Sequence, residues 1–315
     1  SLVGSEMCIR DRHTYMGVYE IRDRDEAVSI MVDKANIAAD TIKNNYDCCV
    51  AYYDEHLLEI SIEQRRLLGE FEPALQKGEF VMYLQPQVNR DGAAKGAEAL
   101  VRWAHPSRGI LTPYAFIDIL ENAGLIYKLD LYIWEKAAQK LAEWKEKGYG
   151  SYHISVNIST KDFYIIDIYE TFTGLINKYG IAASNLHLEI TETTLMTDFE
   201  KNMNIIHKLQ NVGFRVEIDD FGSGYSSLNM LKDISADVLK IDMGFLRKSE
   251  NEVKGQDILE SIITLAGKIG MDVITEGVET KKQLDMLTMM GCHEFQGYYF
   301  SKPVPVSEFE EKYLV

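Results

Sequence analysis

The chain has 315 residues, 46% hydrophobic and 26% charged, enough for one β/α barrel plus a smaller piece and ordinary for a globular protein. A formal charge of -16 argues against extended nucleic acid as a partner, because a phosphate backbone needs a basic track. No apolar stretch reaches membrane-spanning length, and the start lacks the basic-then-apolar order of a signal peptide. In chain order, residues 1–12 show neither periodicity nor a cap and are set aside as a non-native or disordered leader. Residues 13–55 read as a small α+β fragment: a strand over 15–21, a helix over 25–43 and a strand over 49–53. Ala27, Ile30, Met31, Ala35, Ile37 and Ala38 form the helix stripe that would face a sheet. Three elements bury too little for an independent core, so the fragment reads as the tail of a truncated domain. Residues 56–77 are a linker whose helix, predicted over 59–77, aligns Ile60, Leu67, Leu68, Phe71 and Leu75.

Residues 78–315 alternate strands and helices without low complexity. Strands are predicted over 80–85 and 96–103, and helices over 116–123 and 129–147. Five strand-length apolar runs then end on a polar side chain before a turn. They are Val156-Asn157-Ile158-Ser159, Leu188-Glu189-Ile190-Thr191-Glu192, Val216-Glu217-Ile218-Asp219-Asp220-Phe221-Gly222, Val238-Leu239-Lys240-Ile241-Asp242 and Val273-Ile274-Thr275-Glu276-Gly277-Val278-Glu279. With 293–299 as the last, there are eight strand candidates, the pattern of a TIM-like (β/α)8 barrel. In such a barrel the residues that end the strands converge on one mouth.

What converges is mostly anionic, and crowded carboxylates repel unless a cation sits among them. Oxygen-only donors suit hard divalent cations such as Mg2+ or Mn2+. Four cysteines, Cys8, Cys48, Cys49 and Cys292, show no metal-ligand spacing and read as reduced thiols in the cytoplasm. The seven histidines scatter, which argues against a histidine-rich zinc site. A lone Glu98 inside an apolar strand is costly unless paired or ligating; a structural salt bridge is the alternative. Asp220, next to Asp219, could bridge to or ligate a second cation. Lys240 could orient water, offset phosphate charge or pair with Glu276, or simply snorkel. Arg102, four residues after Glu98 on the same strand face, pairs well with phosphate or forms a rim salt bridge. Gln296 could contact water or substrate, or hold a strand end.

The segment Glu98-Ala99-Leu100-Val101-Arg102-Trp103 resembles the name-giving motif of the EAL domain family, phosphodiesterases that act on the bacterial second messenger cyclic di-GMP. The resemblance continues in order through Asn157, Glu189 with Glu192, Asp219-Asp220-Phe221-Gly222-Ser223-Gly224-Tyr225-Ser226-Ser227-Leu228, Leu239-Lys240-Ile241-Asp242, Glu276-Gly277-Val278-Glu279 and Gln296-Gly297-Tyr298. It implies a barrel whose first strand runs antiparallel. It assigns Glu98, Asn157, Glu189 and Asp219 to a first cation, with Asp220 and Glu276 completing a site for two ions, Mg2+ or Mn2+. It makes Lys240 and Glu276 the catalytic pair, Arg102 and Gln296 substrate contacts, Gly222, Ser223 and Gly224 part of a loop, held by Glu192, that couples metal and substrate to dimerisation, and Asp242 and Glu279 supports of the ligand set, with a structural role equally open for Asp242. The implied reaction is hydrolysis of cyclic di-GMP to linear pGpG by a homodimer that associates through the barrel; a non-catalytic cyclic di-GMP receptor is the alternative. Residues 17–21, the following helix and 49–55 resemble the C-terminal third of a GGDEF, or diguanylate cyclase, domain. The signature loop of that family is missing, so cyclase activity is not expected. A longer native chain with an upstream sensor or membrane region is expected, this part of it having no membrane contact.

Overall fold

The computed structural model describes residues 15–42, 49–221, 234–244 and 252–314, in two compact units that divide between Glu72 and Pro73. In the first unit, β1 (Met16–Val18) and β2 (Val50–Tyr52) form a parallel pair with Met16 opposite Val50. Parallel neighbours need a crossover, and α1 (Val28–Asp40) lies between them in the chain. Ala38 of the expected stripe is buried, whereas Ile30 is exposed. Helix α2 (Glu55–Lys77) spans the division and begins earlier than the apolar stripe suggests. The reason is local: Asp54 Oδ1 accepts the Leu57 N–H at 3.0 Å and caps the first turn.

The second unit starts with β3 (Phe80–Val88) and β4 (Ala94–His105), paired antiparallel with Gln85 opposite Glu98. The loop over 89–93 is too short for a crossover, so the second strand must turn back on the first. Asn89 Oδ1 accepts the N–H groups of Asp91 and Ala93, and Gly92 takes φ 83°, which a glycine adopts without steric cost. A short β5 (Gly109–Leu111) edges β4. Helices α3 (Ile117–Asn122) and α4 (Ile126–Glu146) lead to β6 (His153–Ile158). Next come α5 (Asp162–Ile165), α6 (Ile168–Tyr179), β7 (Leu186–Thr191), α7 (Glu192–Thr197), α8 (Phe199–Val212) and β8 (Val216–Phe221). Strands β9 (Val238–Asp242), β10 (Asp272–Glu276) and β11 (Glu294–Phe295) complete the series. From β4 through β6 to β11 every barrel neighbour is parallel. Phe295 then pairs antiparallel with Val88 and closes an eight-stranded barrel.

Alternation sets what each strand offers. Ile154, Val156 and Ile158 of β6 are buried apolar side chains, as are Leu186, Leu188 and Ile190 of β7 and Val216 and Ile218 of β8. Helix α4 meets this layer with Leu129, Ile133, Ala137, Leu141 and Trp144 at helical spacing, all buried. Trp134 Nε1 also donates to the Asn157 carbonyl at 2.9 Å. Each fully buried Leu or Ile contributes about 1.5–3 kcal/mol, so the apolar shell supports the polar residues that alternate with it: Ser155, Glu189, Glu217 and Lys240 are each no more than 1% exposed. Among the described residues no helix is long and apolar enough to cross a membrane.

Candidate active site

Lys240, the middle residue of β9, is 1% exposed. Its ammonium lies 2.7 Å from Glu189 Oε2, 2.7 Å from Glu276 Oε1, 3.3 Å from Asp219 Oδ1 and 3.5 Å from Glu98 Oε2. The carboxylates come from β7, β10, β8 and β4, so four separate strands deliver one acidic cluster. Glu98 is further held by two amides: Asn157 Nδ2 donates to Oε1 at 3.1 Å and Gln296 Nε2 to Oε2 at 2.5 Å.

One ammonium cannot balance four carboxylates. Burial drives the Glu189 carboxyl well above its usual range, and the charge of Glu98 adds to this. Glu276 is pushed up to about 8 by burial, with Lys240 opposing and Asp219 and Glu98 reinforcing. For Lys240 burial acts downward, but Asp219, Glu189, Glu276 and Glu98 outweigh it and raise the ammonium's pKa well above the ordinary value. Glu189 Oε1 is buried and has no hydrogen-bond partner among the described residues. An all-oxygen set with surplus negative charge and an unanswered buried oxygen fits a hard divalent cation. Because Lys240 holds the centre, an ion shared by these carboxylates requires its ammonium to give up some of them.

Asp219 and Asp220 are set apart by the backbone. Between Ile218 and Phe221 the pairing of β8 with β9 shifts register, and Asp220 has φ 55°. A bulge re-aims side chains, and aspartate tolerates the left-handed region better than most residues. The result is that consecutive carboxylates act on one cluster: burial raises the Asp220 carboxyl, followed by the charge of Asp219, with Lys240, Asp242 and Glu98 also in reach.

The remaining expected residues spread outward. Asn157 is exposed at the end of β6. Arg102 is half-buried; its Nη1 donates to the Val101 carbonyl at 2.8 Å, and the guanidinium lies 5.5 Å from the Tyr83 ring centre. Gln296 is 4% exposed, with its amide nitrogen spent on Glu98 and, at 3.3 Å, on Gln85. Asp242 is exposed and accepts the Gly244 N–H at 2.7 Å. Glu192 opens α7, which Thr191 caps. The Glu279 N–H donates to Gln283 at the capping box of helix Lys281–Met289. Gly222, Ser223 and Gly224 lie outside the described residues. Sequence reasoning missed Gln85, which pairs opposite Glu98 and meets Gln296. A polar residue ending the predicted strand over 80–85 was the signal. It also missed the bulge at Asp219–Asp220, which leaves no mark in side-chain pattern.

The EAL domain family model matches residues 69–303. The bifunctional diguanylate cyclase/cyclic di-GMP phosphodiesterase MucR of Pseudomonas aeruginosa is 32% identical over 86% of this chain and 39% of its own length. The cyclic di-GMP phosphodiesterase PdeR of Escherichia coli is 32% identical over 76% of this chain and 36% of its own length. The chain thus spans about two fifths of the length of the curated relatives it matches. Among solved structures, the PaMucR phosphodiesterase in complex with c-di-GMP aligns with a TM-score of 0.73 at 33% identity, over 78% of this chain and 99% of that one. The EAL enzyme Bd1971, bound to cAMP and cyclic di-GMP, aligns with a TM-score of 0.73 at 31% identity, over 80% of this chain and 69% of that one.

Proposed function

The chain belongs to the EAL domain family, and from that premise we propose that it hydrolyses one phosphodiester bond of cyclic di-GMP to give linear pGpG. The observation that carries this reading is the acidic cluster of Glu98, Glu189, Asp219 and Glu276 around Lys240 at the strand ends. Glu98, Asn157, Glu189 and Asp219 would hold a first divalent cation, Mg2+ or Mn2+, and Asp220 with Glu276 a second. Bound there, such ions supply Lewis-acid chemistry, polarising the phosphoryl group and making a water more acidic.

The chain's own groups do the rest. Glu276, with Oε1 against Lys240, would serve either as a ligand of the second ion or as the base that takes a proton from the attacking water, the proton passing on to the leaving ribose oxygen. Lys240 offsets charge that develops on the phosphoryl oxygens, where a preplaced cation acts most strongly. Arg102 would pair with a phosphate of the cyclic dinucleotide. Gln296 and Asn157 fix Glu98 and thereby the geometry of the ligand set. Glu192, Asp242, Glu279 and the loop bearing Gly222, Ser223 and Gly224 would support this mouth.

Residues 13–55 are read as the C-terminal remnant of a GGDEF domain; the name of the bifunctional relative and the β1–α1–β2 order support that reading. We read the whole as a cytoplasmic homodimer that associates through the barrel, within a longer signalling protein. Incubating the protein with cyclic di-GMP and Mg2+ or Mn2+, with chromatographic identification of products, tests the function. The parent is expected to form pGpG and Glu98→Ala, folded by circular dichroism, to form none. Tight binding without turnover by the parent would replace the phosphodiesterase reading with a receptor.

A further inference from the structure

The opposite end of the barrel carries a cluster that the mouth does not use. His153 opens β6, His187 is second on β7 and Glu217 second on β8. By alternation they share strand faces with Asn157, Glu189 and Asp219 respectively. One ligand atom from each of the three lies within 4.8 Å of the others. His187 and Glu217 are 4% and 0% exposed. His187 Nε2 faces the Ser184 carbonyl at 3.1 Å, and Nδ1 faces Glu217 Oε1 at 2.6 Å. His153 Nε2 meets Gln87 Oε1 at 2.7 Å. Each ring thus has one nitrogen on a fixed oxygen, the outer contact that orients metal-ligating imidazoles.

Three further observations point to a ligand. Glu217 Oε2 is buried with no partner among the described residues. Gly96, opposite His153 in the β4–β6 pair, makes room for that ring: a Cβ there would lie 2.4 Å from it. The cluster borders a cavity of about 880 Å³, which leaves a way in and space for water. The nearby cations are answered, Arg215 by Asp272 and Lys95 by Glu294.

We propose that His153, His187 and Glu217 bind one transition-metal ion of the Zn2+ class at the N-terminal end of the barrel, separately from the mouth. Two imidazoles and one carboxylate select such an ion over Mg2+, which prefers oxygen. The rings stand stacked with centres 3.8 Å apart and planes 6° from parallel. Binding tilts them and draws the ligand atoms to about 3.3 Å from one another, as in a tetrahedron with bonds of about 2.0–2.1 Å. The proton between His187 and Glu217 leaves as the ion enters.

The test uses the full chain, stripped by chelator, saturated with Mg2+ to occupy the oxygen-rich mouth, and then dialysed against Zn2+. We expect one Zn2+ retained per chain, and Co2+ in its place to give the intense visible bands of a four-coordinate site. His153→Gln should lose that equivalent, and Glu98→Ala should keep it. Gly96→Ala leaves all three ligands in place but crowds the His153 ring, so affinity should fall roughly 10- to 100-fold, as when a group that orients a metal ligand is lost. Circular dichroism and melting curves establish folding, and Gly96→Ala decides the matter if His153→Gln does not fold. No Zn2+ retained by the parent, an equivalent retained by folded His153→Gln, or unchanged affinity in Gly96→Ala would overturn the site.

Discussion

Strands β7 and β8 each present two polar side chains to the barrel interior, one near each end, and the two ends solve the problem of buried charge differently. At the mouth, Glu189 and Asp219 share a single ammonium with Glu98 and Glu276. At the other end, His187 and Glu217 pair one to one at 2.6 Å. Burial pushes Glu189, Glu276 and Glu217 in the same upward direction, yet the outcomes diverge. Glu189 rises well above the usual range and Glu276 to about 8, whereas the His187 hydrogen bond and charge hold Glu217 at about 2. Burial alone therefore does not set the protonation state of a core carboxylate; the ratio of partners does. A mouth short of positive charge is suited to recruiting cations, while the other end is balanced until an ion displaces its proton.

The largest effect should come from removing the shared cation. Lys240→Met leaves four carboxylates without a counter-charge, and breaking a buried ion pair costs about 3–5 kcal/mol. The expected result is a lower denaturation midpoint in chelator, partial recovery with Mg2+, and phosphodiesterase turnover down by about 10²–10³-fold, as for loss of a preplaced charge in a reaction site. Full stability in chelator would mean that the carboxylates do not depend on Lys240. Disrupting the balanced end should cost less: Glu217→Gln exchanges a charge-assisted hydrogen bond for a neutral one, a loss of about 1 kcal/mol in unfolding free energy read by denaturant titration.

The same contrast gives a pH signature. A carboxyl whose pKa is raised by folding keeps a proton that the unfolded chain has released, so stability falls as pH rises. For Glu276 the window runs from its ordinary 4.5 to about 8, and Glu189 acts with the same sign. His153, pushed down to about 3 by burial and by His187, works the other way, but only below its ordinary 6.5. Between pH 6.5 and 8 the mouth dominates. The melting temperature of chelator-treated protein should decline with pH across that interval, and Glu276→Gln should flatten the decline.

Much of this was legible in the sequence, because strand alternation and polar strand ends are local patterns. Glu98, Glu189, Asp219, Lys240 and Glu276 could be gathered on the assumption of a barrel alone. The antiparallel first strand has a local cause in the short loop after β3, although the resemblance rather than the loop suggested it. What stayed hidden depends on register. His153 and His187 read as scattered residues, and only the pairing that sets Ser155 opposite His187 and Gly96 opposite His153 stacks the rings. Gln296 could be placed at a strand end, but not the turn of its amide toward Glu98 instead of toward the open mouth.

The smallest expected effect isolates the backbone at Asp220. Its φ of 55° lies where a Cβ is unfavourable by about 1–2 kcal/mol for most residues and less for aspartate. Glycine removes that strain but gives the unfolded chain more freedom. Asp220→Gly should therefore stabilise the metal-free protein by only about 0.5 kcal/mol, aided by relief of the repulsion from Asp219. Asp220→Asn relieves the repulsion and keeps the side chain, so the difference between the two variants reads the strain less the freedom that glycine gives the unfolded chain. Both should lose turnover if Asp220 serves a second ion. Should Asp220→Gly destabilise instead, the left-handed conformation would be held by contacts of the side chain, and the bulge would be a consequence of the acidic cluster rather than the device that assembles it.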